Sequence, residues 1–189
     1  MTRRITGLFA ALTMTLVLAS CHGGHMMMDH SHDMMAMKAV AVIRPTAGNN
    51  AAGVITFTSQ GDDKIRLTGE ITGLTPNQEH GFHIHEFGDT SATDGTSAGS
   101  HFDPMGTAHH GTPADDMKMR HAGDMGNIKA DGTGKVTVDM VISGVTMHGH
   151  NGILGRAIVV HGRPDDFGQP VGNAGPRIGV GVIGVAKMP

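Results

Sequence analysis

Tryptophan and tyrosine are absent, and aromatic residues make up 3% of the 189-residue chain. A core must therefore be assembled from Val, Ile, Leu, Ala and a few Phe. There is one cysteine, Cys21, which rules out an intramolecular disulfide and any cysteine-based zinc cluster. A blue-copper electron carrier is excluded as well, because it needs a thiolate and Cys21 has another assignment below. The formal net charge of −3 offers no basis for a nucleic-acid partner. No stretch shows convincing amphipathic-helix spacing. What is plentiful is equally informative: 29 Gly, 14 His and 15 Met. The glycines point to many turns and tight loops, and the other two side chains both ligate metals. The length fits one domain with a sizeable core plus a tail.

Residues 1–20 read as an export signal. Arg3 and Arg4 supply the positive start, and Leu8 to Leu18 form an apolar run too short to span a bilayer comfortably. The run ends in Leu18-Ala19-Ser20-Cys21, which resembles a bacterial lipoprotein signal and implies cleavage before Cys21 and lipid attachment to it. Each buried methylene of an acyl chain contributes roughly 0.8 kcal/mol, so several chains would hold the protein to a membrane. The expected location is the bacterial cell envelope, with periplasmic and outer surface both open. Residues 21–37 then read as a low-complexity, disordered tether, with six Met and four His between His22 and Met37. Thioether and imidazole together suit copper, the sulfur favouring Cu(I).

From Lys38 to the end, the chain changes to short apolar runs punctuated by Gly and Asn. Strands are predicted over Lys38–Arg44, Gly53–Ser59, Lys64–Thr72, around His83/His85, Asp124–Ala130, Lys135–Ile142, Arg156–His161 and Arg177–Ala186. Turn signals at Gly61-Asp62-Asp63 and Asp131-Gly132-Thr133-Gly134 join two of the pairs. The fold class is all-β: an eight-stranded antiparallel Greek-key barrel or sandwich with long metal-binding loops. The 38–189 region forms that domain. About 35 residues, Gly88 to Gly123, carry almost no strand signal, and so long a loop inside a compact domain is usually functional.

The chemistry concentrates on that loop and two strands. In Gly81-Phe82-His83-Ile84-His85-Glu86-Phe87-Gly88-Asp89, alternate side chains share a face, so His83 and His85 project together. Two imidazoles on a stiff strand make a chelate for a transition metal. His101, His109 or His110, His121 and Asp124 come from the loop, and His161 closes another strand. Three imidazoles with a carboxylate suit tetrahedral zinc. An all-imidazole set suits copper and can leave a face free for a small ligand. His80, His148 and His150 are assigned to structural or exposed positions.

Taken together, residues 38–187 resemble the copper/zinc superoxide dismutases. The segments carrying the likeness are Gly81–Asp89, Ser97–Pro104, Arg120–Asn127, Val159–His161 and Gly172–Gly184, in that order. The resemblance implies copper held by His83, His85, His101 and His161. It implies zinc held by His101, His110, His121 and Asp124, with His101 shared between the metals. His110 is preferred to His109 because Gly111-Thr112-Pro113 follows it. Asp165 resembles an outer carboxylate that steadies one copper His and one zinc His. Arg177 resembles the Arg that draws in superoxide, and His101 the group that carries a proton between half-reactions. Many members tie the loop to the last strand with a disulfide; here Gly95 and Val180 stand at those positions. The expected activity is superoxide conversion to oxygen and hydrogen peroxide as exported antioxidant defence. The alternative is an envelope protein that binds or delivers copper through a domain of this kind. Oligomeric state is left open.

Overall fold

Alternation of β-branched and polar residues produces eight strands in the computed structural model, which describes residues 38–106 and 109–187. The signal, Cys21 and the Met/His-rich tether lie outside the described residues. The strands are β1 Lys38–Pro45, β2 Ala52–Ser59, β3 Lys64–Thr72, β4 Glu79–His85, β5 Asp124–Lys129, β6 Val136–Ser143, β7 Ala157–His161 and β8 Arg177–Val185. Each lies within a few residues of its predicted span. Their spatial order is β5-β4-β7-β8-β1-β2-β3-β6, every neighbouring pair antiparallel.

The two outer strands, β5 and β6, are consecutive in the chain, so the sheet curls into a nearly closed barrel. The turn joining them is tight: the Asp131 and Lys135 backbones bond at 2.8 Å, and Asp131 Oδ1 accepts from the Thr133 and Lys135 amides. β7 returns to lie beside β4, outside the consecutive β4-β5-β6 run, which is a Greek key. Inside the barrel, Phe57, Leu67, Phe82, Ile84, Met125, Ile158 and Ile183 are buried together.

β4 and β7 differ from the other strands in being buried on both faces. Phe82, Ile84, Ile158 and Val160 face the core, while His83, His85, Ala157, Val159 and His161 face outward. The long loop covers that outer face. Its segment near His101 and the chain before β5 are laced to the end of β4. Phe102 N–H donates to Ile84 C=O at 2.8 Å, Gly123 N–H to Phe102 C=O at 2.9 Å, and Ile84 N–H to Gly123 C=O at 3.0 Å. Gly123 has to be glycine for this approach, since a Cβ there would sit 2.1 Å from Ile84 O. Glu86 lies past the end of β4 and accepts the Ser100 amide at 2.8 Å.

A 3-10 turn, Thr96–Ala98, lies in the loop where no regular structure was expected. Ala98 packs with Ala157, Val159 and Val180 in a small cluster outside the barrel wall. Gly95 and Val180 are neighbours, for a Cβ on Gly95 would meet Val180 Cγ2 at 2.7 Å. Apolar packing thus occupies the place where a disulfide would tie loop to strand. Val180→Ala removes two methyl groups from this contact and should cost about 2 kcal/mol in urea unfolding. Amide exchange should quicken across residues 90–99 before it does in β2 or β3; equal loss in all three would mean the cluster does not hold the loop.

Candidate metal centre

Strand periodicity puts His83 and His85 side by side above β7, and the loop with the start of β5 brings four more candidate ligands, three imidazoles and a carboxylate, onto the same face. Two four-donor sets result. His83, His85, His101 and His161 offer nitrogens within 4.8 Å of one another, as do the donor atoms of His101, His110, His121 and Asp124. All seven residues are buried, and His101 belongs to both sets. Its ring centroid lies 4.2 Å from that of His83, 5.0 Å from His85, 5.1 Å from His110 and 5.6 Å from His121.

In the first set, outward hydrogen bonds decide which nitrogen is free. His85 Nδ1 bonds the Gly99 carbonyl at 3.0 Å and His161 Nδ1 the Gly175 carbonyl at 3.2 Å. A carbonyl only accepts, so both Nδ1 atoms carry the proton and both Nε2 atoms are bare. Those two lone pairs face each other at 3.3 Å. His83 Nε2 bonds Asp165 Oδ2 at 2.8 Å, leaving His83 Nδ1 buried without a partner. A cation is the species that satisfies such an arrangement.

The second set converges on one carboxylate. Asp124 Oδ1 lies 2.7 Å from His101 Nδ1, 2.9 Å from His110 Nδ1 and 3.3 Å from His121 Nδ1. The His110 approach lacks hydrogen-bond alignment, so its Nδ1 is also without a partner. The remaining oxygen, Oδ2, accepts the backbone amides of Gly111 and His121 at 3.0 and 3.1 Å. Three nitrogens and a carboxylate oxygen around one point match the donor chemistry of zinc.

Asp165 joins the two sets from behind, accepting from His83 Nε2 and, at 2.9 Å, from His110 Nε2. It is fixed by Asn127, whose side chain exchanges two hydrogen bonds with the Asp165 backbone. Gly172 leaves the room: a Cβ there would fall 1.9 Å from Asp165 Oδ1 and 2.6 Å from His110 Nε2. Arg177 donates to the Gly95 and Gly99 carbonyls, so it shares Gly99 with His85 at the half-buried rim of the site. His109 is exposed where His110 is buried. His80 is buried, with Nδ1 2.8 Å from the His161 carbonyl, while His148 and His150 are exposed.

Several supporting residues had no sequence signal. Gln169 clamps the His110 backbone from both sides, at 2.9 and 2.7 Å, and Phe167 stacks on the His110 ring. Arg120 is buried and donates to the His121 and Asp124 carbonyls. Only its place beside His121, in a segment already singled out, could have pointed to it.

The family model described as "Copper/zinc superoxide dismutase (SODC)" matches residues 51–183. A "Superoxide dismutase [Cu-Zn]" of Paramecium bursaria Chlorella virus 1 is 43% identical over 169 residues, covering 85% of this chain and 87% of its own. One of Cordyceps militaris is 46% identical over 160 residues, covering 80% of this chain and 99% of its own. The chain belongs to the copper/zinc superoxide dismutase family. Its barrel is similar to a crystal structure of the clock protein EA4, with a TM-score of 0.71 and 40% identity over 80% of this chain and 96% of that one. As an enzyme of this family, the dismutase uses copper and zinc, and it carries histidine clusters able to hold them.

Charge in the metal-free dismutase is set by burial and by the two carboxylates. Burial pushes His85 well below the usual imidazole range, His101 to about 4 and His161 to about 3. Burial also lowers His110, but the adjoining Asp124 and Asp165 outweigh it and raise it to about 9. Burial alone would raise both aspartates; hydrogen bonds from the histidines instead hold them well below the carboxylate range. The signs then fix a stability profile. His85, His101 and His161 take protons more readily when unfolded, so the metal-free protein should lose stability as pH falls from about 6.5 towards 4. His110 is protonated more readily when folded, so stability should also fall as pH rises from about 6.5 to 9. Urea midpoints of the metal-free protein should peak near pH 6.5; a midpoint still climbing at pH 9 would contradict the His110 assignment.

Proposed function

We propose that this chain removes superoxide by a metal-assisted cycle in which His83, His85, His101 and His161 hold copper. His101, His110, His121 and Asp124 hold zinc. The observation that carries the reading is that one buried imidazole, His101, is common to two donor sets of different chemistry. Copper supplies one-electron redox chemistry when bound, and zinc supplies a fixed positive charge.

The chain's own residues do the rest. Arg177 presents a fixed cation at the rim, held by two loop carbonyls, and attracts the small anionic substrate. His101 takes up a proton at Nε2 in one half-cycle and donates it in the other, while its Nδ1 stays on the Asp124 side. Asp165 fixes the orientation of His83 and His110 together, so neither ring has to rotate during turnover. Rings held beforehand in this way would need little rearrangement to hold the metals. Arg177 also favours an enzyme over a protein that only passes copper on, since anion attraction serves no purpose in metal delivery.

The same reading includes export and a lipid anchor at Cys21, with defence against superoxide outside the cytoplasm. Its support is the Arg3-Arg4 start, the short apolar run and the position of the sole cysteine.

His161→Ala should retain the β-sheet circular dichroism spectrum yet let superoxide decay at its spontaneous rate. That is a larger loss than the roughly 10–100-fold typical of removing an outer partner. A His161→Ala protein that still consumed superoxide catalytically would remove copper from the proposed cage. For the anchor, cells fed labelled palmitate should label the wild-type chain and leave Cys21→Ser unlabelled, and a wild-type chain without label would discard the anchor.

A further inference from the structure

Arg156 lies on the connection from β6 to β7, and none of the steps above uses it. Its side chain crosses from its own turn to the two segments that carry His85 and His101. Nε donates to the Gly152 carbonyl at 2.7 Å and Nη1 to the Glu86 carbonyl at 2.8 Å. Its Cζ sits 3.5 Å from the centroid of the Phe102 ring, which is 3% exposed. Glu86 follows His85, and Phe102 follows His101.

These segments meet in a very short ladder. Its only bridge pair is His85 with His101, flanked by Phe102 N–H to Ile84 C=O at 2.8 Å and Glu86 N–H to Ser100 C=O at 2.9 Å. So short a pairing resists slippage weakly on its own. A planar cation held by a charge-assisted hydrogen bond on one side and an aromatic face on the other clamps both sides at once. The clamp is itself anchored, because the next residue, Ala157, is the register partner of His85.

The geometry points to Arg156 as a positioning residue that sets the separation of the His85 and His101 rings, 5.0 Å between centroids. The inference rests on the copper assignment above for its consequence in the loaded enzyme, but not for the clamp itself.

The test uses the full chain with Arg156→Met and Arg156→Lys. In metal-free protein, amide exchange at Glu86 and Phe102 should quicken roughly tenfold in Arg156→Met, the loss of one hydrogen bond from a charged donor. Leu67 in β3 should be unchanged, and Arg156→Lys should recover part of the protection. In copper-loaded protein, the electron paramagnetic resonance spectrum of Arg156→Met should differ from wild type, with Arg156→Lys returning towards it. Wild-type exchange and an unaltered spectrum would overturn the proposal. So would a lower Tm with both unchanged, which marks a mere turn anchor. If no variant takes up copper yet exchange quickens as expected, the clamp stands and the copper assignment is what fails. Should Arg156→Met not fold, Phe102→Leu removes the ring beneath the guanidinium and is read in the same two ways.

Discussion

Buried lone pairs pointing at one another are what this structure has to manage. The free nitrogens of His85 and His161 lie 3.3 Å apart, and His83 Nδ1 has no partner at all. Protonation of His85 and His161 is opposed by burial. The inward lone pairs exist because the other nitrogen of each ring is committed elsewhere: to Gly99, to Gly175 and to Asp165. Two of those acceptors are backbone carbonyls of covering segments, so the fold of the loops dictates the tautomers. A bound cation would satisfy these lone pairs, and its binding free energy would add to the folding free energy.

The barrel tolerates this because the tension is placed outside its core. β4 and β7 send their apolar side chains inward, where Phe82, Ile84, Ile158 and Val160 are fully enclosed. The same strands send histidines to a face that the long loop and the segment from Asp165 to Gly175 cover. That loop is held by backbone hydrogen bonds around Phe102, by the Ala98–Val180 cluster, and by side-chain bonds from Arg177 and Gln169. A covalent tie would constrain the unfolded chain; apolar packing does not, so more of the loop's order here depends on contacts present only in the folded protein. The carboxylate of Asp165 links the two halves of this layer, since it touches His83 on β4 and His110 on the loop.

How much of this could be read from the residues alone depended on whether the signal was local. His83-x-His85 was legible because strand periodicity by itself puts both rings on one face. The strand spans were legible for the same reason, and the turns because Gly and Asp mark them. The choice between adjacent His109 and His110 is different in kind. Only the tertiary position of the loop makes one exposed and the other buried. Arg156, Gln169 and Phe167 left no trace because each acts on a segment far away in sequence, through backbone carbonyls or ring stacking that no local pattern marks. The Gly123 approach to Ile84 was invisible for a similar reason: glycines are so numerous here that one required by contact looks like one required by a turn.

Net charge says little about how an anion would reach this site. The chain is formally negative, and two of its carboxylates belong to the metal-binding layer. Both are nevertheless spent. Asp124 has three imidazoles at one oxygen and two backbone amides at the other, and Asp165 is enclosed by His83, His110 and the Phe167 amide. Buried and paired, they project little field towards the opening. Arg177 is half-buried at the rim, and its charge is felt at His85 and His161, where it depresses protonation further. Asp94 partly offsets it, but from an exposed position that solvent and salt screen strongly. Over the last few ångströms the local cation decides the sign of the potential, so the summed charge of the protein does not have to be positive for an anion to be drawn in.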